Sequence, residues 1–325
     1  MSHDLPRISR DRISSLFDRN LPPVIRIQPG TTLIVETEDT RRGETRTPET
    51  THPDYLRAMA ARGWDGNPVT GPIFVEGAEP GDTLVVEIKT ITCDTLGFTT
   101  NWPQLLHMAD WFPDPETVLM PIADGHVLFD EQIRIPVRPM IGSIGVAPRV
   151  EVFTTGPSGR YGGNLDVPEV RAGSTIMFPV YVPGALLSLG DCHAIQNDGE
   201  TRAVEMRAEV TITVGLHKGR LPGMSWPRIE TAESIVTVGA DRPLENALAI
   251  AVREMVLWVE ALTGWSKAKC LNLIGLVADL RPGQAIPGIT IPFTMRCIMP
   301  KSYLRHIANQ LDHRTGGVEG TALHE

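Results

Sequence analysis

Residues 184–200, GALLSLGDCHAIQNDGE, gather acidic and imidazole side chains more densely than any other part of the chain. Asp191 and His193 are two positions apart, so their side chains would leave the same face of an extended strand. Asp198 and Glu200 repeat that spacing. Mixed oxygen and nitrogen donors suit a hard or borderline divalent metal, and zinc is common at carboxylate–imidazole sites. The segment therefore indicates a metal or catalytic site.

The same residues also fit a simpler interpretation. Asp198-Gly199 is a typical turn pair, and a solvated turn at the end of a strand would need no function for its polar side chains. Cys192 adds a third possibility, because a thiolate between an acid and a histidine could act as a nucleophile. On an extended strand, however, Cys192 would face away from both neighbours.

Composition and charge exclude several classes of protein. With 325 residues, 42% of them hydrophobic and 21% charged, the chain can form one large domain or two ordinary ones. The net charge of −9 and the lack of a basic run argue against nucleic-acid binding. The most apolar run, residues 176–189, is short and contains Pro179 and Pro183, so it does not predict a membrane span. We expect neither a nucleic acid nor a membrane as partner.

The cysteines and the N-terminal sequence indicate the cellular compartment. The four cysteines lack paired spacing and predict neither a thiolate zinc site nor a disulfide framework. The first residues, MSHDLPRISRDR, lack the apolar core of a secretory signal. A reduced, cytoplasmic setting is therefore the expectation.

Glycine and proline are abundant, with counts of 30 and 27, which favours short strands and turns. Strands are predicted at residues 32–37 and within 201–214, where Val204, Met206, Ala208, Val210, Ile212 and Val214 share one face. Residues 73–75 and 83–88 predict a hairpin around the turn at 79–82. A helix with Pro243 in its first turn is predicted to end at Gly264, and Ser266 to cap a second helix. The prediction is a mainly β fold, with a β-rich body at residues 1–225 and an α+β part at 226–325 that together form one functional unit.

Other polar residues remain open at this point. The glycine-rich loop of residues 156–166 ends in Asp166, a further possible metal ligand. Glu205 lies on the polar face of its strand, where solvent is a more ordinary environment than a site. Whether any of four other polar residues reaches the site is undetermined: Glu36, Asp39, His107 and His126.

Several separated segments, taken in order, resemble the acetamidase/formamidase family: GPIFVEGAEPGDTLVVEI, PMIGSIGVAP, GGNLD, GSTIMFPVYVPGALLSLGDCHAIQNDGE and VADLRPGQ. The resemblance covers most of the chain between residues 67 and 300. It implies a β-rich fold with β-sandwich and barrel-like parts plus an α+β segment. It also implies a cytoplasmic, homo-oligomeric, metal-associated hydrolase that cleaves small aliphatic amides to carboxylate and ammonia.

Carried onto this sequence, the resemblance implies roles for individual residues. Asp166, Asp191 and His193 would bind a divalent metal, with zinc first and calcium or another divalent ion as alternatives. Glu200 would be the catalytic acid or base, with His193 as the second catalytic residue. The expected substrate-binding residues are Asn164, Gly163 and Asp198. Two alternative functions stay open: hydrolysis of another linear or cyclic C–N bond, and small-molecule binding without catalysis.

Overall fold

The computed structural model describes residues 5–63 and 66–304, so the two ends of the predicted domains, 1–4 and 305–325, lie outside the described residues. The strands are β1 (Arg7–Ile8), β2 (Ile13–Ser14), β3 (Leu16–Phe17), β4 (Ile25–Ile27), β5 (Thr31–Thr37), β6 (Val69–Val75), β7 (Thr83–Asn101), β8 (Glu116–Ala123), β9 (His126–Leu128), β10 (Arg134–Pro136), β11 (Met140–Gly145), β12 (Phe153–Thr154), β13 (Ser158–Gly159), β14 (Gly162–Asn164), β15 (Thr175–Pro179), β16 (Leu187–Gln196), β17 (Ala203–His217), β18 (Arg228–Glu230), β19 (Ser234–Asp241), β20 (Asp279–Pro282) and β21 (Phe293–Pro300). The helices are α1 (Pro53–Ala61), α2 (Leu244–Thr263) and α3 (Lys267–Val277), with short 3-10 turns at Pro48–Thr51, Leu105–His107 and Lys301–Tyr303.

Within the described residues, nineteen strands belong to one hydrogen-bonded network, while β3 and β12 form a separate pair. Most pairings are antiparallel; β1 with β5 and β4 with β6 are parallel. The sheet curls around its two longest strands, because β17 pairs with β7 along most of its length and also with β5 and β16. The predicted mainly β fold is confirmed.

Strand β17 follows the alternation that its sequence predicts. The six apolar positions from Val204 to Val214 are all buried, whereas the residues between them are partly exposed. This period of two places one face of the strand in the main hydrophobic core and leaves the other face for polar side chains.

Strand β16 is buried on both faces over nearly its whole length. It pairs with β11 and β6 along its first part and with β17 along its second part. Polar residues on such a strand cannot reach bulk water and must find partners inside the protein. This strand carries Asp191 and His193.

The predicted hairpin of residues 73–75 and 83–88 is wrong in its pairing. Both runs form strands, within β6 and β7, but the recorded pairings of these described strands join β6 to β2, β4 and β16 and join β7 to β8, β15 and β17. The turn between them therefore carries the chain from one part of the sheet to another.

The predicted helices near the C-terminal end are confirmed. Pro243 is the N-cap of α2 and not part of its first turn. The helix ends at Thr263, and Gly264 caps it, because its left-handed backbone (φ 67°) lets its N–H donate to the carbonyl of Glu260 at 2.8 Å. Ser266 caps α3 by accepting a hydrogen bond from the N–H of Lys269. A second apolar core, which includes Met255 and Met299, packs α2 against β19 and β21 and packs α3 against α2 and β21.

The sheet continues across the predicted boundary at residue 225, because β15 pairs with β7 on one side and with β18 on the other. The division into two parts that act as one unit stays a prediction. None of the helices among residues 5–63 and 66–304 is long and apolar enough to cross a membrane.

Candidate active site

Five acidic and imidazole side chains meet at one end of β16: Asp166, Asp191, His193, Glu200 and Glu205. They form two overlapping groups that share His193, and within each group the ligand atoms lie within 4.8 Å of one another. One group adds Asp166 and Glu200, and the other adds Asp191 and Glu205. We call these five residues the acidic cluster; each group could hold a metal ion.

Four strands or strand ends position the acidic cluster. Asp191 and His193 lie on β16, and Glu205 lies directly opposite His193 on the neighbouring β17. His193 Nε2 is 3.3 Å from Asp191 Oδ1 and 3.4 Å from Glu205 Oε1. Asp166 follows β14, which pairs with β11, and Glu200 follows the end of β16.

Three of the carboxylates project from strained backbone. Asp166, Asp191 and Glu200 have φ values of 48°, 56° and 47°, in the left-handed region that residues with a side chain rarely adopt. Such outliers concentrate at functional sites, where the surrounding structure holds them in place. The sequence predicted that Asp191 and His193 meet because alternate side chains leave the same face of a strand. In the structure, the left-handed backbone of Asp191 itself, in the middle of β16, redirects its side chain instead.

Gln196 fixes the orientation and tautomer of His193. The Gln196 amide nitrogen donates to the carbonyl oxygen of Asp166 at 2.8 Å, so its Oε1 faces the imidazole. His193 Nδ1 lies 2.7 Å from that oxygen and must donate to it. With Nδ1 donating to Gln196, Nε2 is the nitrogen that faces the cluster, where the Asp191 and Glu205 carboxylates favour a second proton that a metal ion would displace.

Asp191 is held by neutral donors. Asn67 Nδ2 donates to Asp191 Oδ2 at 2.6 Å, and Ser143 Oγ donates to the same oxygen at 3.0 Å. The second N–H of Asn67 donates to Asn164 Oδ1 at 3.0 Å, and the single hydroxyl proton of Ser143 is shared between Asp191 and Asn164 Oδ1, which lies 2.6 Å from its Oγ. Because the Asn164 oxygen is occupied in this way, its amide nitrogen is left to face the pocket that Asn164 lines.

Gln284 joins the two carboxylates of the other group. Its Nε2 donates to Asp166 Oδ2 and to Glu200 Oε2, each at 2.8 Å. Gln284 is buried and belongs to the segment that follows β20. It is 84 residues away from Glu200 along the chain. The amide supplies hydrogen bonds to two acids without adding a charge.

Burial and mutual repulsion disturb the titration of the acidic cluster. Burial raises the pKa of Asp166 well above its usual range, and the carboxylates of Glu200 and Asp191 raise it further. Burial raises the pKa of Glu200 to about 7 and also raises that of Glu205. Burial lowers the pKa of His193, but the Glu205 and Asp191 carboxylates outweigh this and raise it well above its ordinary value. These shifts mean that the metal-free cluster retains protons that ordinary carboxyl groups would lose, and a bound cation would favour their release.

The donor atoms of the acidic cluster fit a divalent metal ion. Within the described part of the chain, four buried polar atoms there have no hydrogen-bond partner: Asp166 Oδ1, His193 Nε2, Glu205 Oε2 and Gln284 Oε1. Buried polar atoms are nearly always paired, so four orphans in one place indicate a missing partner. Carboxylate oxygens with one imidazole nitrogen suit zinc and also accept harder ions.

Gly142 on β11 provides the close approach that the cluster needs. A Cβ at this position would lie 2.6 Å from Asp166 Oδ1 and 2.7 Å from the carbonyl oxygen of Asp191. We expect Gly142→Ala to lower the free energy of unfolding by about 1–3 kcal/mol, because the methyl group forces both acids to move. Gly215→Ala on β17 is the matched control, since its nearest neighbour, Val85, lies at an ordinary 3.7 Å. Urea denaturation of both variants checks this, and equal losses of stability would contradict the prediction.

The acidic cluster forms the floor of a pocket of about 780 Å³. Asp191, Glu200 and Glu205 line it, as do Asn164 and Gln284, whereas Asp166 and His193 lie behind these residues. A substrate in this pocket would therefore meet carboxylate and amide groups first.

Two of the predicted substrate-binding residues lie elsewhere. Asp198 forms ion pairs with the buried Arg296 and with Arg281 and is not part of the pocket wall. It shapes the turn that carries Glu200, whose N–H donates to the carbonyl of Asn197 at 3.1 Å. Gly163 is buried in β14, where a Cβ would lie 2.4 Å from the carbonyl oxygen of Pro157, so its role is close packing.

The residues left open by the sequence also lie outside the acidic cluster. Glu36 pairs with Arg7 at 2.6 Å, and His126 Nδ1 contacts the carbonyl of Asp124. His107 lies in a 3-10 turn, and Asp39 accepts hydrogen bonds within the loop after β5. Cys192 points into the main core, and burial raises the pKa of its thiol to about 12, which opposes a role as a nucleophilic thiolate.

The sequence and the fold of this chain were compared with those of known proteins. The acetamidase/formamidase family model matches residues 7–156 and 150–275. A crystal structure described as a predicted acetamidase/formamidase from Thermoanaerobacter tengcongensis has a TM-score of 0.86 and 32% identity, and the match covers 94% of this chain and 99% of that one. The acetamidase structure from Bacillus halodurans has a TM-score of 0.83 and 31% identity, with 93% and 99% covered.

Among curated relatives, the formamidase of Methylophilus methylotrophus is 26% identical over 280 residues. That match covers 64% of this chain and 64% of the relative, so the chain spans just under two thirds of the relative's length. The residues that the family model matches include β16 and the turn before Glu200. The chain therefore belongs to the acetamidase/formamidase family.

Proposed function

We propose that this protein hydrolyses small carboxamides to the carboxylate and ammonia, with a divalent metal ion in the acidic cluster. The observation that carries the proposal is the set of orphaned donor atoms on Asp166, His193 and Glu205, directly behind the floor of a pocket. The names formamidase and acetamidase of the similar proteins support an amide as substrate. An amide carbonyl is a weak electrophile, so the site must activate both the carbonyl and a water molecule.

The metal would be held by His193 Nε2 together with carboxylates from Asp191, Glu205 and Asp166. When bound, such an ion polarises a carbonyl oxygen and lowers the pKa of a coordinated water to about 7 in the case of zinc. Gln196 holds a proton of His193 on Nδ1, so Nε2 is the nitrogen that would bind the metal in place of a proton. Asn67 and Ser143 hold Asp191 in position.

Glu200 is the proposed proton carrier. Its pKa of about 7 allows it to accept a proton from the attacking water and later to return one to the departing nitrogen near neutral pH. Glu200 lines the pocket, so it can touch a bound amide, and Gln284 orients its carboxylate through Oε2. His193, behind the pocket wall, serves the reaction as a ligand and not as an acid or base.

Asn164 is the proposed donor to the substrate carbonyl. Its side-chain oxygen is occupied by Asn67 and Ser143, which leaves the amide N–H groups for an oxygen that gains negative charge in the transition state. Asn164 thus keeps its predicted role in substrate binding. Gln284 and Glu205, which line the same pocket, are proposed as substrate-binding residues instead of Asp198 and Gly163.

Ammonia release tests the proposed function. We expect turnover of at least one amide in a panel of formamide, acetamide, propionamide and a cyclic amide, with turnover lost in the presence of a chelator. Cys192→Ser serves as a control for the rival mechanism; activity should persist because the thiol is buried in the core. The absence of turnover on the whole panel with metal-loaded protein would contradict the proposal, and loss of activity in Cys192→Ser would favour thiolate chemistry.

Three finer points belong to the same proposal. We propose zinc as the ion, with calcium or another divalent ion as the alternative, a homo-oligomeric assembly and a cytoplasmic location. The carboxylate-rich donor set with one imidazole supports zinc without excluding harder ions. Elemental analysis and light scattering on the purified protein test the metal and the assembly.

A further inference from the structure

Arg41 is a buried guanidinium group in the wall of the same pocket. Its Nη1 donates to the hydroxyls of Thr45 and Thr117, both at 3.1 Å, and its Nη2 donates to the hydroxyl of Thr100. Among the described residues, no carboxylate forms an ion pair with Arg41. Buried charges are normally paired, because neutral hydroxyls replace only part of the lost hydration.

The guanidinium group of Arg41 also lies near two aromatic rings that line the pocket. Its guanidinium lies 4.6 Å from the centre of the Phe98 ring and 5.8 Å from that of Trp102. Burial lowers the pKa of Arg41 to about 10, although the more distant carboxylates of Glu205 and Asp39 act in the opposite direction. The side chain stays charged at neutral pH, with its Nε–H and one Nη2–H not used by the threonines.

A second arginine of the pocket wall also lacks a carboxylate partner in the described part of the chain. Arg202 donates to the side-chain oxygen of Asn101 and to the carbonyl of Thr201, both of which are neutral. The carboxylates of the acidic cluster thus lie at the floor of the pocket, and Arg41 and Arg202 place charges on its wall that no carboxylate of the described residues pairs. The Glu44 carboxylate, which also lines the pocket, is paired with Arg62. This arrangement would orient a ligand that has a neutral end and an anionic end.

The size of the pocket also points to more than a minimal amide. A volume of about 780 Å³ lies in the range of ~300–1,000 Å³ that accommodates much larger organic ligands. Formamide and acetamide have only a handful of non-hydrogen atoms and would leave most of it filled with water. Apolar side chains, among them Leu105 and Ile286, complete the lining.

We propose that the substrate is an amide whose acyl chain ends in a carboxylate, the monoamide of a short dicarboxylic acid, and that Arg41 binds this carboxylate. Guanidinium is suited to bind a carboxylate through two parallel hydrogen bonds. Arg41 lies over Phe98, and Phe98 is directly opposite Glu205 of the acidic cluster on the neighbouring strand. Arg41 is therefore near the acidic cluster, and an acyl chain that joins the two must be short. The inference rests on the proposed function; hydrolysis breaks the C–N bond, adds water and releases the dicarboxylate and ammonia.

Neutral isosteres separate the charge from the shape of the substrate. Malonamate is compared with acetoacetamide, and succinamate with levulinamide, since a methyl ketone replaces the carboxylate in each pair. For metal-loaded protein we expect kcat/KM to be at least about tenfold higher for the anionic amide of one pair. Arg41→Gln should reduce this ratio by roughly 10- to 100-fold, the usual effect of removing a charged hydrogen-bonding partner. The ratio within one variant cancels any general loss of folded protein.

Arg26→Gln is the matched control, because Arg26 also stacks on a phenylalanine, Phe74, at 3.6 Å but lies outside the pocket. Its ratio should equal that of the unaltered protein. No preference for the anionic amides, or a preference that survives Arg41→Gln, would overturn the inference. If no amide is hydrolysed at all, calorimetry measures the binding of succinamate. Binding that is lost in Arg41→Gln would support the anion site, although the proposed function would have failed. The absence of binding would overturn both the anion site and the proposed function.

Discussion

Glu200→Gln is expected to lower kcat for amide hydrolysis by about 100- to 10,000-fold while the protein keeps its metal. Glutamine has nearly the same shape as glutamate and can still contact Gln284, but it cannot accept a proton from water. Because the proposed ligands are other residues of the acidic cluster, and the amide of Gln284 still contacts Asp166, the loss of the Glu200 charge should weaken metal binding far less than it weakens turnover. Ammonia release and elemental analysis of the same sample separate the two effects.

The control for this variant is Glu209→Gln, which removes a carboxylate from the exposed part of β17, where it pairs with Arg7. Activity near that of the unaltered protein is the expected result for the control. Glu200→Gln with full turnover would remove Glu200 from the mechanism. Equal loss of metal and turnover would instead make Glu200 a ligand, in the group with Asp166 and His193.

His193→Ala is expected to reduce metal affinity by at least about a hundredfold and kcat/KM by about a thousandfold or more. His193 is the residue shared by both ligand groups, so its loss affects every arrangement of the metal that the cluster offers. A change in an outer residue that orients a ligand already costs ~10- to 100-fold, and polarisation by the metal contributes several kcal/mol. Competition with a chromogenic chelator measures the affinity directly.

His126→Ala is the corresponding control, because His126 lies on β9 with its Nδ1 near the carbonyl of Asp124, away from the cluster. Its metal affinity should be unchanged. Unaltered metal content and turnover in His193→Ala would show that the ion, if any, binds elsewhere. The folded state of His193→Ala is checked by circular dichroism, since removal of a buried imidazole also leaves a cavity.

Local patterns predicted the elements of this fold better than their pairing. The alternation in β17 and the helical spacing between Pro243 and Gly264 depend on neighbouring residues, and both predictions are confirmed. The hairpin predicted for residues 73–75 and 83–88 is wrong because each strand pairs with partners far away in the chain, such as β16 for β6 and β17 for β7. Such pairings depend on tertiary packing that a turn signal does not encode.

The site divides in the same way. Asp191 and His193 are close in sequence, and their proximity in the structure follows the prediction, although a left-handed Asp191 brings it about. Glu205 was expected to face solvent, as charged residues on the polar side of a strand usually do. It faces the cluster because β16 pairs beside β17 and places His193 opposite it.

Gln284 and Arg41 show what sequence reasoning missed. Gln284 ends the segment VADLRPGQ, which contributed to the family resemblance, but nothing local indicated that its amide reaches Asp166 and Glu200. Arg41 follows β5 in a charged loop that resembles many solvent-exposed loops, yet it is buried over Phe98. Both residues acquire their roles from contacts with distant parts of the chain.

The central claim is that the acidic cluster hydrolyses amides with a bound divalent metal. Its most direct test measures metal content and ammonia release on the same samples while metal is removed in steps by a chelator and then restored. Turnover should fall and recover in proportion to the metal bound, with no such recovery in His193→Ala. Full amide turnover by metal-free protein would contradict the central claim.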